Sequence, residues 1–120
     1  LSKLRELVES SKKEVMICTS ALDFEDKSRV LIPALEKLAK NNIKVKIALS
    51  GEPERVKKIS IKHGVKVKAL ESPARFFMSD KTQALLMLTP ESSEEEMAIW
   101  LNSDFFTQSL HSIVEKSLRN

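Results

Sequence analysis

The sequence predicts an α/β fold: a mixed sheet, a parallel βαβαβ half followed by an antiparallel meander, with helices on both faces. Two observations predict it. Up to Leu70, short apolar runs alternate with stretches of helical periodicity, an order that favours parallel strands and right-handed crossovers. From Ala74 to Asn102 the pattern changes. ARFFMSDKTQALLMLTP, the acidic ESSEE and EMAIWLN make three apolar runs joined by a tight polar turn and a short polar loop. These runs read as an antiparallel meander in the middle of the sheet.

Each element has its own signal. Leu1 to Lys13 carries apolar residues at 1, 4, 7 and 8, one face of a helix. VMIC (15–18), ending at Thr19 and Ser20, is a short buried strand. ALDFEDKS reads as a loop. Ser28 is placed to cap the next helix, in which Pro33 is tolerable only in the first turn. Leu31, Leu35, Leu38 and Ala39 give that helix its buried face, and Asn41-Asn42 ends it. Residues 43–49 form the second strand, which Gly51 breaks.

Pro53 and the acids beside it open a third helix, with Val56, Ile59 and Ile61 inward and Gly64 just past its end. Residues 65–70 are the third strand. Lys44 and Lys46 share one face of their strand, and so do Lys66 and Lys68, which places both strands toward a sheet edge. The meander strands are 74–80, 83–89 and 96–101, with Asp80-Lys81 as a two-residue hairpin connection that lacks the usual Gly. Phe76 and Phe77 point to opposite faces. Asn102 or Ser103 caps a last helix, whose apolar face is Phe106, Leu110, Ile113, Val114 and Leu118.

Composition excludes several functions. The chain has 120 residues, 42% hydrophobic and 31% charged, which suits one globular domain. No apolar run approaches the ~20 residues of a membrane span. A net charge of +3, from 20 basic and 17 acidic residues, is too balanced for a nucleic-acid surface by charge alone. Cys18 is the only cysteine, so a reduced, cytoplasmic setting is expected, with no disulfide and no thiolate metal cluster. The two glycines, Gly51 and Gly64, cannot build a glycine-rich phosphate loop. His63 and His111 fall on different helices and read as a helix-end residue and a solvated position, so no metal and no cofactor is expected. Cys18 reads as an inert buried thiol. The acidic loop from Glu91 to Glu96 reads as a solvated connection, and Trp100 as core.

Ligands of open α/β sheets sit at the carboxyl ends of the strands. Here those ends carry Thr19, Ser20 and Ser50, small hydroxyl residues that leave room for a small molecule. Capping and turn formation account for the same residues without a ligand.

The phrases ALEKLAKNNIKVKI, RFFMSDKTQALLML and AIWLNSDFF, in this order of elements, resemble the phospholipase D-like domain of TrmB-type transcriptional regulators. The resemblance covers nearly the whole chain. It implies a mostly archaeal protein with a winged-helix domain upstream, so the chain, beginning at Leu1, is expected to be a fragment of a longer one. Active phospholipase D-like enzymes carry H-x-K-x-x-x-x-D, with the His as nucleophile. Setting Asp80 at the motif Asp places Arg75 at the Lys and Pro73 at the His. The resemblance therefore implies a catalytically dead relative, with Arg75, Asp80 and Asn102 as remnants of a polar pocket.

The resulting expectation is a single non-catalytic domain that senses a small-molecule effector and dimerises, meeting DNA only through an upstream domain and no membrane. The rivals are a phospholipase D-type nuclease or phosphodiesterase with a degenerate motif, and a ligand-free interaction module. Arg75, Asp80 and Trp100 are expected near the two-fold of a homodimer, with Leu1, Leu4, Leu7 and Val8 as a second contact. The alternative leaves Arg75 and Asp80 solvated at a strand end.

Overall fold

Residues 15–19 are all buried, and the strand they belong to, Glu14–Ser20 (β1), is the hub of the sheet. The computed structural model describes residues 2–91 and 93–118. Two strands lie on one side of β1, which pairs in parallel with Lys44–Ser50 (β2), which in turn pairs in parallel with Val67–Ala69 (β3). On its other side β1 pairs antiparallel with Phe76–Ser79 (β4), followed by Gln83–Met87 (β5) and Ala98–Asn102 (β6). The order is β3-β2-β1-β4-β5-β6. The predicted parallel half and meander are both present. The meander forms one flank of the sheet, with β4 central and β6 at the far edge.

Helices cover the two faces unequally. Ser2–Glu9 (α1), Ala21–Asp26 (α2), Ser28–Lys40 (α3) and Pro53–His63 (α4) pack on one face. Their core joins Leu7, Phe24, Leu31, Leu35 and Ile59 to Ile17, Leu49 and Phe77 from the strands. Asp104–Leu118 (α5) packs on the other, where Val114, with Leu110 and Leu118, meets Met16, Ala48, Phe76 and Met78. Phe76 and Phe77 do serve opposite faces, as the period of two requires. Each side chain as fully buried as Phe77 contributes about 1.5–3 kcal/mol.

Several local expectations give way to the geometry. ALDFED is a helix, because Ser20 caps it through its hydroxyl, which accepts from Asp23 N–H at 3.0 Å. Lys27 separates α2 from α3, so Ser28 begins α3 instead of capping it, and Pro33 lies inside the helix beyond its first turn. Ile61 is 73% exposed and Ile113 67% exposed, while Thr107 and His111 are buried. The α5 seam is therefore Thr107, Leu110, His111, Val114 and Leu118, about one residue round the helix from the apolar stripe. Trp100, read as core, is exposed on the edge strand, its indole N–H donating to Gln83 and the Lys3 ammonium 4.1 Å from its ring centre.

The hairpin at Asp80-Lys81 forms without glycine. Both residues adopt positive φ, +53° and +57°, and Thr82 N–H closes the turn on Ser79 O at 3.0 Å. Two left-handed residues in succession match the twist of an antiparallel pair. Gly64 ends α4 in the left-handed region, and Ser103 caps α5 through Phe106 N–H.

Candidate functional site

The end of β1 and the start of β4 lie side by side, since Cys18 pairs with Phe76. That register brings Arg75 beside Thr19 at the carboxyl edge of the parallel strands. Arg75 is buried, with only 2% of its side chain exposed. Its guanidinium donates to Glu96 Oε2 at 2.8 Å, lies 3.2 Å from Asp23 Oδ1, and donates to the carbonyls of Thr89 and Pro90. Lys27 bonds Asp23 one turn along the helix and reaches Glu96 at 3.3 Å. Thr19 donates its hydroxyl to Asp23 at 2.5 Å. Two cations and two carboxylates thus balance, with Glu96 at the exposed rim, and within this cluster Arg75 Nε is buried without a partner among the described residues.

The carboxyls respond to this setting. Burial works against ionisation of Asp23, but bonds from Lys27 and Thr19, with the charges of Lys27 and Arg75, outweigh it and hold the group below the usual aspartate range. Burial likewise opposes ionisation of Glu96, and its bond to Arg75 and the Lys27 charge lower it overall. Cys18 sits in the same strand with no such partner, and burial pushes its thiol up to about 12. It is an inert thiol, as its apolar strand implies.

Outside this cluster a hollow opens at the strand ends, lined by Ser20, Ser50, Gly51, Arg55 and Glu91 among others. Ser20 and Ser50 are paired in register, so their hydroxyls stand together. Ser20 donates to Glu91 across the hollow. Gly51 has φ of +127°, a region that side-chain-bearing residues avoid, and a Cβ there would stand 3.5 Å from Ala21 Cβ. Hydroxyls, a guanidinium and a carboxylate around one concavity suit a small polar molecule with several hydrogen-bonding groups.

The sequence-predicted residues divide between two ends of the sheet. Thr19, Ser20, Ser50 and Arg75 meet at the carboxyl edge, although Thr19 is buried and occupied by Asp23. Asp80 and Asn102 lie at the opposite edge, since Asn102 pairs with Gln83 and Gln83 with Ser79. Asp80 is there a clamp: its carboxylate accepts from the backbone N–H groups of Lys12, Lys13 and Glu14 at 2.8 to 3.2 Å. Burial opposes its ionisation and these bonds overcome it, so the carboxyl is held low. An Arg75–Asp80 pair across a two-fold is therefore ruled out: one partner is buried in its own chain, and the other is bound to the backbone. Leu4, Leu7 and Val8 are core residues, so they offer no second contact, and Leu1 lies outside the described residues.

Sequence reasoning missed Asp23, Lys27 and Glu96. The i, i+4 spacing of Asp23 and Lys27 marks an ion pair once ALDFEDK is read as helical. Nothing in the acidic loop singles out Glu96. That loop, read as a solvated connection, is instead tied down through Glu91, Glu96 and the carbonyls that Arg75 holds. His111, read as solvated, is 4% exposed and packs on Glu14.

Comparison with known proteins settles the family. The family described as transcriptional regulator TrmB, EBD N-terminal subdomain, matches residues 1–114. The chain belongs to this TrmB family. No curated protein matches it. Among solved structures it is similar to TrmBL2, an archaeal chromatin protein whose structure is described as showing a novel mode of DNA binding. The TM-score is 0.65 at 14% identity, over 97% of this chain and 46% of that one. It is also similar to the phospholipase D family member Nuc from Salmonella typhimurium, with TM-score 0.69 at 11% identity over 96% and 84% of the two chains. NucT from Helicobacter pylori gives 0.72 at 15% identity over 98% and 86%. These likenesses establish a phospholipase D-like fold, and this TrmB-family chain spans about half the length of TrmBL2. No described helix is long and apolar enough to cross a membrane.

Proposed function

We propose that this domain is the effector-sensing and dimerising part of a transcription regulator, and that it performs no catalysis. The observation that carries the reading is the hollow at the strand ends, closed on one side by an acidic loop that hangs on Arg75 and Ser20. A polar effector entering beside Ser20 and Ser50 competes with Glu91 for the same hydroxyl. It thereby loosens or tightens the loop, and the change passes through Glu96 to the buried charges. DNA contact belongs to a winged-helix domain elsewhere in the protein. Catalysis is absent because Pro73 stands where the resemblance puts the nucleophile, while His63 packs edge-on to Phe24 and His111 on Glu14.

Dimerisation rests on a second surface. At the β6 edge and the start of α5, Leu88, Met97, Ile99 and Phe105 are exposed, Phe105 by 84%. An apolar edge strand with unpaired backbone groups favours association, and a second copy of the same edge satisfies both. Three measurements on the chain test the reading. Thermal-shift screening against small polar metabolites is expected to yield a stabilising ligand whose effect is lost in the double variant Ser20→Ala, Ser50→Ala. Sedimentation equilibrium is expected to show a dimer that Ile99→Lys dissociates. Hydrolysis of bis-p-nitrophenyl phosphate is expected to stay at background. A monomer at tens of micromolar (about the range of a weak functional interface), or turnover abolished by His63→Ala or His111→Ala, would defeat it.

A further inference from the structure

At the amino edge of the sheet, β1 and α5 meet through side chains that effector sensing does not use. His111 Nε2 lies 2.5 Å from Glu14 Oε1 and 3.7 Å from Glu115 Oε1. One ligating atom from each of the three falls within 4.8 Å of the others. The helix holds His111 and Glu115 on one flank at i and i+4. Glu14 opens β1, whose register is fixed from both sides by β2 and β4. The donors are therefore carried by rigid elements and need no loop to close.

We propose that Glu14, His111 and Glu115 form a binding site for a divalent transition-metal cation of the zinc type. One imidazole and two carboxylates are a donor set that suits zinc. Bonds of about 2.0–2.1 Å in a tetrahedron put neighbouring donors ~3.3 Å apart, and the observed separations of His111 from the two carboxylates straddle that value. His111 and Glu115 also line a hollow beside α5 with Lys81, Gln108 and Ser112, from which water would complete the shell.

Lys46 is the built-in competitor. Its ammonium bonds Glu115 and lies 3.9 Å from Glu14, so it neutralises the carboxylates the metal needs. It also borders a separate hollow with Lys66 and Lys68, and its side chain is 30% exposed, so it has somewhere to go. A divalent ion replaces one positive charge with two at a cluster holding two carboxylates. Bound there, it fastens α5, the one described helix on its face, to the central strand.

Titration of the metal-free chain with Co²⁺, read by its visible d–d absorption, and with Zn²⁺ by calorimetry, decides the matter. The wild type is expected to bind one equivalent with a tetrahedral cobalt spectrum. His111→Gln and Glu115→Gln are each expected to weaken binding by more than about 100-fold, since even loss of a supporting partner costs roughly 10–100-fold. Lys46→Met is expected to tighten binding several-fold, the reverse of what a purely structural ion network predicts. His63→Gln is expected to change nothing, and circular dichroism confirms that each variant is folded. Absence of saturable binding in both wild type and Lys46→Met overturns the proposal. So does binding that survives His111→Gln and is lost in His63→Gln.

Discussion

Arg75 and Asp80 lie on one strand segment, five residues apart in the chain, and the two ends of that segment work by opposite physics. At the carboxyl edge Arg75 is buried among Asp23, Lys27 and Glu96, charges that must be satisfied by one another. At the amino edge Asp80 stands partly in solvent and binds three backbone N–H groups. The first arrangement is costly to desolvate and intolerant of losing a member. The second uses donors that every chain possesses and has water as a fallback. A motif spaced along one strand therefore need not mark one site. About 16 Å of extended chain, at ~3.3 Å per residue, puts its ends on opposite edges of the sheet.

Removing the guanidinium is the strongest way to break the contrast. Arg75→Met leaves Asp23 and Glu96 facing Lys27 alone and frees the carbonyls of Thr89 and Pro90. Loss of one partner from a buried ion pair costs about 3–5 kcal/mol, a large part of a domain's ~5–15 kcal/mol. Urea unfolding is expected to show this loss, and hydrogen exchange is expected to show the 88–97 loop opening before the sheet. A loss under ~1 kcal/mol, the range of surface pairs, would place Arg75 with the solvated charges after all.

Asp80→Asn is expected to cost less, about 1–2 kcal/mol, since charge-assisted hydrogen bonds of this kind are worth ~1.5–3 kcal/mol and solvent screens the site. Its sharper signature is in acid. The folded carboxyl titrates below its unfolded value, so its stabilisation is complete above the ordinary aspartate pKa of about 3.9 and is lost as pH falls through the folded value. Wild type is therefore expected to lose stability steadily below about pH 4. Asp80→Asn is expected to show a shallower fall there, with the remaining slope owed to Asp23 and Glu96. Parallel curves for the two proteins would show that Asp80 titrates alike folded and unfolded.

Much of the fold was legible because it rests on period and punctuation. VMIC, KVKIALS and the FFMS–QALLM pair announce strands by local apolar runs, and Ser72-Pro73 marks the change of topology. The lysines at 44, 46, 66 and 68 announced the edge, where β3 indeed lies. Half of the candidate site was legible for the same reason, since Ser20 and Ser50 are strand ends paired by the ladder. What stayed hidden depends on contacts between distant residues. Glu96 meets Arg75 across 21 positions, and Glu14 meets His111 across 97. A lone His on a helix with a Glu four residues on looks solvated until β1 is placed beneath it. Charge that folding buries reads, in sequence, like charge left in water.

The smallest effect sharpens the comparison from the stable side. Asp80 and Lys81 both occupy the left-handed region, which disfavours residues with a Cβ by roughly 1–2 kcal/mol each. Asp tolerates it better than Lys, and here its carboxylate is employed as well. Among the described residues no hydrogen bond or ion pair of the Lys81 side chain offsets that strain, while Asp-Gly is the preferred pair for this turn. Lys81→Gly relieves the strain but gives the unfolded chain more freedom, a penalty of about 0.5–1 kcal/mol. The net expectation is stabilisation by about 0.5–1 kcal/mol, visible as a rise of several degrees in the thermal midpoint. Asp80→Gly relieves the same kind of strain yet loses three hydrogen bonds, so it is expected to lower the midpoint. Opposite signs at adjacent turn positions separate the clamp from the backbone that carries it. Two rises would mean that strain, and not the carboxylate, governs the amino edge.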